Sequence, residues 1–345
     1  YWLETIGENI PVLDLPFDKK RPQLPDFSGS VVRTRLQKET AENLRRLMDE
    51  TGSTLYMILL ASYSLFLSKL SGQEDIVVGS PAAGRSRAEL DGVIGMFVNT
   101  VAMRSRPKGD KTFRAYLEEV KMLALGAAEH QDFPFEELAQ KLDTHREVNR
   151  NPLFDAMLVL QNSDDFKVNL PGLSVSSHAV KHDISKFDLT LHAEEQPDGS
   201  LDFHFEYSTA LFEKGTIERW AGHFKELLGQ IAADDEWKLS DIHLLDTNER
   251  QMLLQAENQT AEYPRHETIV SLFEAQAEKM PDQIAAVMSD ERLTYRELNE
   301  KADRIADMLS ENGIRSGQIV GIMTERSPEM LIGIFGILKA GGAYL

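Results

Sequence analysis

The chain has 345 residues, 42% of them hydrophobic and 27% charged, which is enough for two globular domains with ordinary cores. Its formal net charge of −19 repels phosphate backbones and anionic headgroups, so neither nucleic acid nor a membrane is an expected partner. The absence of cysteine excludes disulfides, thiolate nucleophiles and cysteine-held zinc, and points to the cytoplasm.

The first residues, YWLETIGENIPVLDLP, lack the basic and apolar regions of a signal peptide. QKETAENLRRLMDETG (37–52) has Leu44 and Leu47 on one side and ends on glycine, as helices often do. Ser53 and Thr54 can cap the next helix, TLYMILLASYSLFLSKL (54–70). That segment carries Leu55, Ile58, Leu59, Phe66 and Leu70 at helical spacing. It is too short to span a bilayer, and serines and a lysine interrupt it, so it reads as a buried core helix.

DIVVGSP (75–81) and GMFVNTVAMRS (95–105) read as strands, and a helix is expected over 112–128. In EHQDFPFEELAQKL (129–142), Asp132 offers a capping oxygen and Pro134 a fixed φ, both typical of a helix start. FDAMLVLQN is another strand. FDLTLHAEEQPDGSLDFHFEYS is a hairpin turning at Pro197, Asp198, Gly199 and Ser200. TIERWAGHFKELLGQIAAD is an amphipathic helix presenting Ile217, Trp220, Phe224, Leu227 and Leu228.

Residues 234–266 are polar and weakly periodic, and read as an inter-domain linker. Beyond them a new α/β pattern begins. It has a helix over 269–279, a strand over 284–288, the segment LTYRELNEKADRIADMLSENG, the strand IVGIM and the helix PEMLIGIFGILKAG.

Histidine is the obvious candidate for chemistry, with nine in the chain. His178 and His182 have metal-ligand spacing, but no third ligand is placed and their neighbours suit a loop or strand. His192 and His204 fall in the hairpin arms and read as strand-face residues. There is neither a Gly-x-Ser-x-Gly elbow nor a G-x-x-x-x-G-K-[ST] loop. His130 is ambiguous. A general base needs an orienting partner, and Asp132 is near but more useful as a helix cap. The other reading is a turn packed by Phe133 and Phe135.

Three stretches in series resemble late core motifs of the condensation domain of nonribosomal peptide synthetases. IGMFVNTVAMR (94–104) resembles IGxFVNTxxxR, and HQDFPFE (130–136) resembles HQDxPFE. REVNRNPLF (146–154) resembles RDxSRNPLF, with Glu147 in place of aspartate and Asn149 in place of serine or threonine. LTYREL (293–298) and LKAGGAYL (338–345) resemble the first and the beginning of the second core motif of an adenylation domain of the same enzymes.

This resemblance implies an α/β fold in three parts. Residues 1–233 would be the second, chloramphenicol-acetyltransferase-like lobe of a V-shaped condensation domain. Residues 234–266 would be a linker, and 267–345 the N-terminal part of an adenylation (AMP-binding) domain. The family's catalytic HHxxxDG motif does not occur in this sequence. The resemblance places it upstream of Tyr1, so no residue here is expected to be catalytic and the chain alone is expected to be inert. Asn99, Arg104, His130, Gln131, Asp132, Arg150 and Asn151 are the expected lobe-interface or tunnel residues. Arg104 is expected to form a charge-assisted bond with the aspartate of the upstream motif. The bland alternative is that these motifs only hold the second lobe together.

The parent enzyme implied is an elongation module. It would join an upstream acyl or peptidyl thioester to the amine of a downstream aminoacyl thioester. Phosphopantetheine would sit on carrier domains rather than on this chain, and ATP and Mg would serve the complete adenylation domain. The implied partners are the upstream and downstream carrier domains, the first condensation lobe and the remainder of the adenylation domain. Two competitors are an epimerisation-type domain of the same fold and a non-catalytic docking platform for carrier and adenylation domains.

Overall fold

The computed structural model describes residues 1–7, 9–90, 92–142, 148–161, 183–257 and 264–345. The chain forms two compact units, Tyr1–Glu257 and Asn258–Leu345. The pair His178 and His182 lies outside the described residues, as do Arg146 and Glu147.

The first unit opens with α1 (Trp2–Ile6), β1 (Gly29–Leu36), α2 (Lys38–Thr51) and α3 (Leu55–Ser71). Next come β2 (Ile76–Ala82), β3 (Asn99–Ser105), α4 (Phe113–Glu129) and α5 (Phe135–Lys141). The unit closes with β4 (Ala156–Gln161), β5 (Leu189–Glu195), β6 (Leu201–Ser208), α6 (Lys214–Ala233) and α7 (Thr247–Glu257). Its strands form one mixed sheet in the order β1-β6-β5-β4-β2-β3. β4 runs parallel to both β5 and β2, and the other pairings are antiparallel.

From Leu55 to Ser68 every residue of α3 except Tyr56 is buried. A helix apolar all round must be enclosed. α3 is, touching α4, α6, β2 and β4. The Thr54 hydroxyl accepts from the Met57 amide at 3.3 Å, and Gly72 ends the helix at a φ of 71°. β6 alternates buried with half-buried positions, as a strand with one face on a core does. Phe203 and Phe205 of β6 meet Phe224 of α6 edge-on, at 5.4 and 5.9 Å between ring centroids. Tyr63 and Phe66 of α3 meet the same ring at 6.2 and 5.4 Å. Phe224 therefore joins the two helices to the sheet.

Three expectations need correcting. The strand expected from Gly95 begins at Asn99, because 92–98 belongs to a loop that brings Phe97 up to Gly84. Asp132 does not cap α5. Pro134 holds the N-cap position without a side-chain bond, and the Asp132 carboxylate accepts from the Ser86 hydroxyl at 3.0 Å instead. The stretch read as a linker is in part built into the first unit. Residues 235–240 run antiparallel to 109–114, with Leu239 N donating to Lys111 O at 2.8 Å and Phe113 N to Trp237 O at 3.0 Å. Leu239 and Ile242 are buried in the core, and α7 follows them.

The second unit contains α8 (Ile269–Lys279), the hairpin of β7 (Ile284–Met288) and β8 (Glu291–Thr294), and α9 (Tyr295–Glu311). β9 (Ile319–Val320), α10 (Pro328–Lys339) and β10 (Ala343–Tyr344) complete it, β9 and β10 pairing in parallel. Its core is small: Phe273, Leu293, Leu298 and Ile332, with Phe335 stacked on Phe273 at 4.1 Å. Among the described residues no single helix is long and apolar enough to cross a membrane.

Candidate functional site

The seven candidate residues separate into three places. Asn99, His130, Gln131 and Asp132 meet at the start of β3. Arg104 stands at the other end of that strand, about 17 Å along at 3.4 Å per residue. Arg150 and Asn151 belong to a buried charged cluster.

At the first place Asn99 organises the turn between α4 and α5. Its Nδ2 donates to the carbonyls of Gln131 and Phe133, both at 2.7 Å, and its Oδ1 accepts from the Phe135 amide at 3.3 Å. One side chain thus satisfies three backbone groups that a tight turn into a helix would leave unpaired. It supplies the service expected of Asp132. Asp132, bound to Ser86, ties the turn to the loop after β2.

His130 forms the C-cap of α4. Its Nδ1 donates to the Gly126 carbonyl at 2.8 Å, and its ring stacks on Tyr1 at 4.1 Å. The Trp2 indole donates to its carbonyl at 2.9 Å. Asp132 is turned to Ser86 and does not orient this imidazole as a base, so the arrangement favours the packed-turn reading.

Arg104 takes a carboxylate partner within the first unit. Nε and Nη2 donate to the two Asp75 carboxylate oxygens at 2.9 and 2.7 Å, a bidentate pair. Nη1 donates to the Ile6 carbonyl and Nη2 also to Asn9 O at 3.2 Å. Asp75 immediately precedes β2, the strand that pairs with β3. These hydrogen bonds hold the Asp75 carboxyl below the usual carboxylate range.

The third place is a cavity of about 120 Å³ lined by Arg21, Asn149, Arg150, Asp155, Lys186 and Asp188, among others. Arg21 donates to both carboxylate oxygens of Asp188, and Arg150 donates to Asp155 at 2.7 Å. The Asp188 amide in turn donates to the Asp155 carbonyl at 2.9 Å. Burial pushes the Asp188 carboxyl up, to about 6, and Asp155 adds to this while Arg21 opposes it. Asn149 donates to Pro22 O at 2.6 Å, and Asn151 to Lys186 O at 3.2 Å. Asn149 and Asn151 therefore fasten the segments at Pro22 and Lys186 to this stretch.

Sequence reasoning missed Asp75, Ser86, Arg21, Asp155 and Asp188. A signal existed for the last two. Each is a lone acid heading an apolar strand, in FDAML and FDLTL, where burial demands a cationic partner. Among the described residues no group of three or more histidine or acidic side chains is placed to hold a metal.

Residues 1–254 match the family model described as condensation domain. The chain belongs to the condensation-domain family. Residues 273–345 match a second family, AMP-binding enzyme. A plipastatin synthase of Bacillus subtilis (strain 168) is 62% identical over all of this chain, which spans 13% of that protein. Tyrocidine synthase 3 of Brevibacillus parabrevis is 50% identical over all of the chain, which spans 5% of it. In fold, the chain resembles holo-AB3403, a four-domain nonribosomal peptide synthetase bound to AMP and glycine. The TM-score is 0.89 at 24% identity, over 99% of this chain and 27% of that one. The X-domain from teicoplanin biosynthesis also resembles it, with a TM-score of 0.66 at 23% identity, over 71% of this chain and 56% of the other. The condensation-family match places the three series motifs in the first unit, and the AMP-binding match falls in the second.

Proposed function

We propose that this chain serves within an elongation module of a peptide synthetase. Residues 1–233 act as the C-terminal lobe of its condensation domain, and 267–345 as the N-terminal part of its adenylation domain. The parent forms an amide by attack of a carrier-bound aminoacyl amine on an upstream carrier-bound thioester. The observation that carries this reading is the order of the two family matches, condensation then AMP-binding, along one chain.

In this reading the chain shapes and does not react. Asn99, Gln131 and Asp132 form one wall of the lobe, Arg104 braces the first helix against β3, and Arg150 and Asn151 hold the far end of the sheet. The catalytic imidazole comes from an HHxxxDG motif in the first lobe. The acyl groups arrive on phosphopantetheine arms of upstream and downstream carrier domains, in the cytoplasm.

ATP and Mg belong to the complete adenylation domain. Among the described residues, Lys339 does not fit a phosphate site. Lys339, its side chain only 5% exposed, spends its ammonium on Asn299, Asp303 and Glu274 at 2.8, 2.5 and 2.7 Å. It is a structural cation between α8, α9 and α10, and no step is routed through a nucleotide.

The test compares the 345-residue chain with the intact synthetase in amino-acid-dependent ATP–pyrophosphate exchange. The intact protein should exchange and the chain alone should not. Exchange by the chain alone would refute the division of labour proposed here.

A further inference from the structure

Among the described residues of the loop between β2 and β3, Val93, Ile94, Met96 and Val98 are exposed. Ile94 and Met96 are 102% and 87% exposed, so packing of these side chains does not hold it in shape. What holds it is Arg85. Its Nη1 donates to the Leu90 carbonyl, and its Nη2 to the Val93 carbonyl at 2.9 Å. Its guanidinium lies over the Phe97 ring, 4.5 Å from the centroid. The neck of the loop closes at the same point. Gly84 has a φ of 63°, and a Cβ there would stand 1.9 Å from the Phe97 carbonyl oxygen.

The loop is also joined to its neighbour. Ser86, next to Arg85, donates to Asp132, and Asn99, two residues after Phe97, binds the backbone of 131–135. Loop and turn thus share polar ties at both ends of the loop.

We propose that Arg85 is a positioning residue for the condensation reaction: it fixes the loop segments 83–90 and 92–98 to each other and, through Ser86–Asp132, makes them and the 130–135 turn one rigid wall. The inference rests on the condensation reading given above. It adds a residue that touches no substrate and acts through Ile94, Met96 and the turn. The role demands arginine. Two donors directed at two carbonyls, with a flat cation on a ring, are beyond a lysine ammonium.

The test has two readouts. The first is amide hydrogen exchange in the 345-residue chain. In the native chain Leu90 N donates to Arg87 O at 2.9 Å and Val93 N to Leu90 O at 3.1 Å, so both amides report the loop. Arg85→Ala and Arg85→Lys should each speed their exchange by about tenfold or more, the scale of a lost charge-assisted bond. Phe97→Leu, which keeps apolar bulk, should do so partially. Ser86→Ala should speed exchange at Phe133 and Phe135 and leave Leu90 protected. The second readout is peptide-bond formation by the intact synthetase. Arg85→Ala and Arg85→Lys should lower its kcat/KM by about tenfold, with amino-acid adenylation unchanged. Unaltered exchange at Leu90 and Val93, or altered exchange with normal condensation, would overturn the proposal. A native synthetase that adenylates but never condenses would overturn the functional reading alone, and exchange would still decide whether Arg85 fixes the loop.

Discussion

Arg104 and Asp75 face each other across the entry to β2 and the end of β3, the guanidinium donating to both carboxylate oxygens at 2.9 and 2.7 Å. The arginine side chain is 8% exposed and the aspartate 32%, so the cation is the buried partner. Losing the carboxylate leaves that cation with carbonyls alone, and Asp75→Asn should cost about 1–3 kcal/mol at neutral pH.

The same pair predicts a pH dependence of definite sign. The folded-state pKa of Asp75 is lowered, chiefly by the Arg104 hydrogen bonds. Its contribution is therefore complete above the unfolded carboxyl pKa of about 3.9 and disappears as pH falls through the lower folded value. Urea titrations should show the gap between native chain and Asp75→Asn constant from pH 7 to pH 5 and closing below pH 4. A gap that widens on acidification would contradict the pairing.

Asn99→Ala removes three hydrogen bonds to the 131–135 backbone, so it should lower stability by about 1–3 kcal/mol. It should also expose the Phe135 amide to exchange. Asn99→Asp keeps an acceptor for Phe135 N but loses both donors, and should be nearly as harmful. Equal protection of that amide in all three proteins would mean the turn holds itself.

Phe224 meets four aromatic rings from two elements, and Phe224→Ala should cost about 3–5 kcal/mol by chemical denaturation. The exposed Phe27 is a fit control, and its truncation should change stability by less than about 0.5 kcal/mol.

Leu239 tests whether 234–244 belongs to the first unit. It is 1% exposed, so Leu239→Ala should destabilise that unit by about 2–5 kcal/mol. A chain ending at 233 should melt well below one ending at 257. Equal melting temperatures would restore the linker reading.

Most helices and strands were legible because their apolar spacing is strong. α3, the β5–β6 hairpin and α6 follow from periodicity and turn residues alone. The segment 234–244 was not legible, because only two of its residues, Leu239 and Ile242, are buried and its main-chain bonds to 109–114 leave no mark in residue type. Asp132 misled for a related reason. A capping residue is recognised by chemistry, but Asn99, over thirty positions earlier, reaches the same amide through space. The ion pairs of Arg104 and Arg21 depend on strand register and chain crossing, which local sequence does not express.

We propose above that this chain is part of an amide-forming machine. Intact-protein mass spectrometry of the carrier domains tests it most directly, after the complete synthetase is given ATP, Mg, its amino acid and a loaded upstream donor. The downstream carrier should gain the mass of a peptidyl thioester. A downstream carrier that bears only its single aminoacyl group, beside a donor that stays loaded, would contradict the claim.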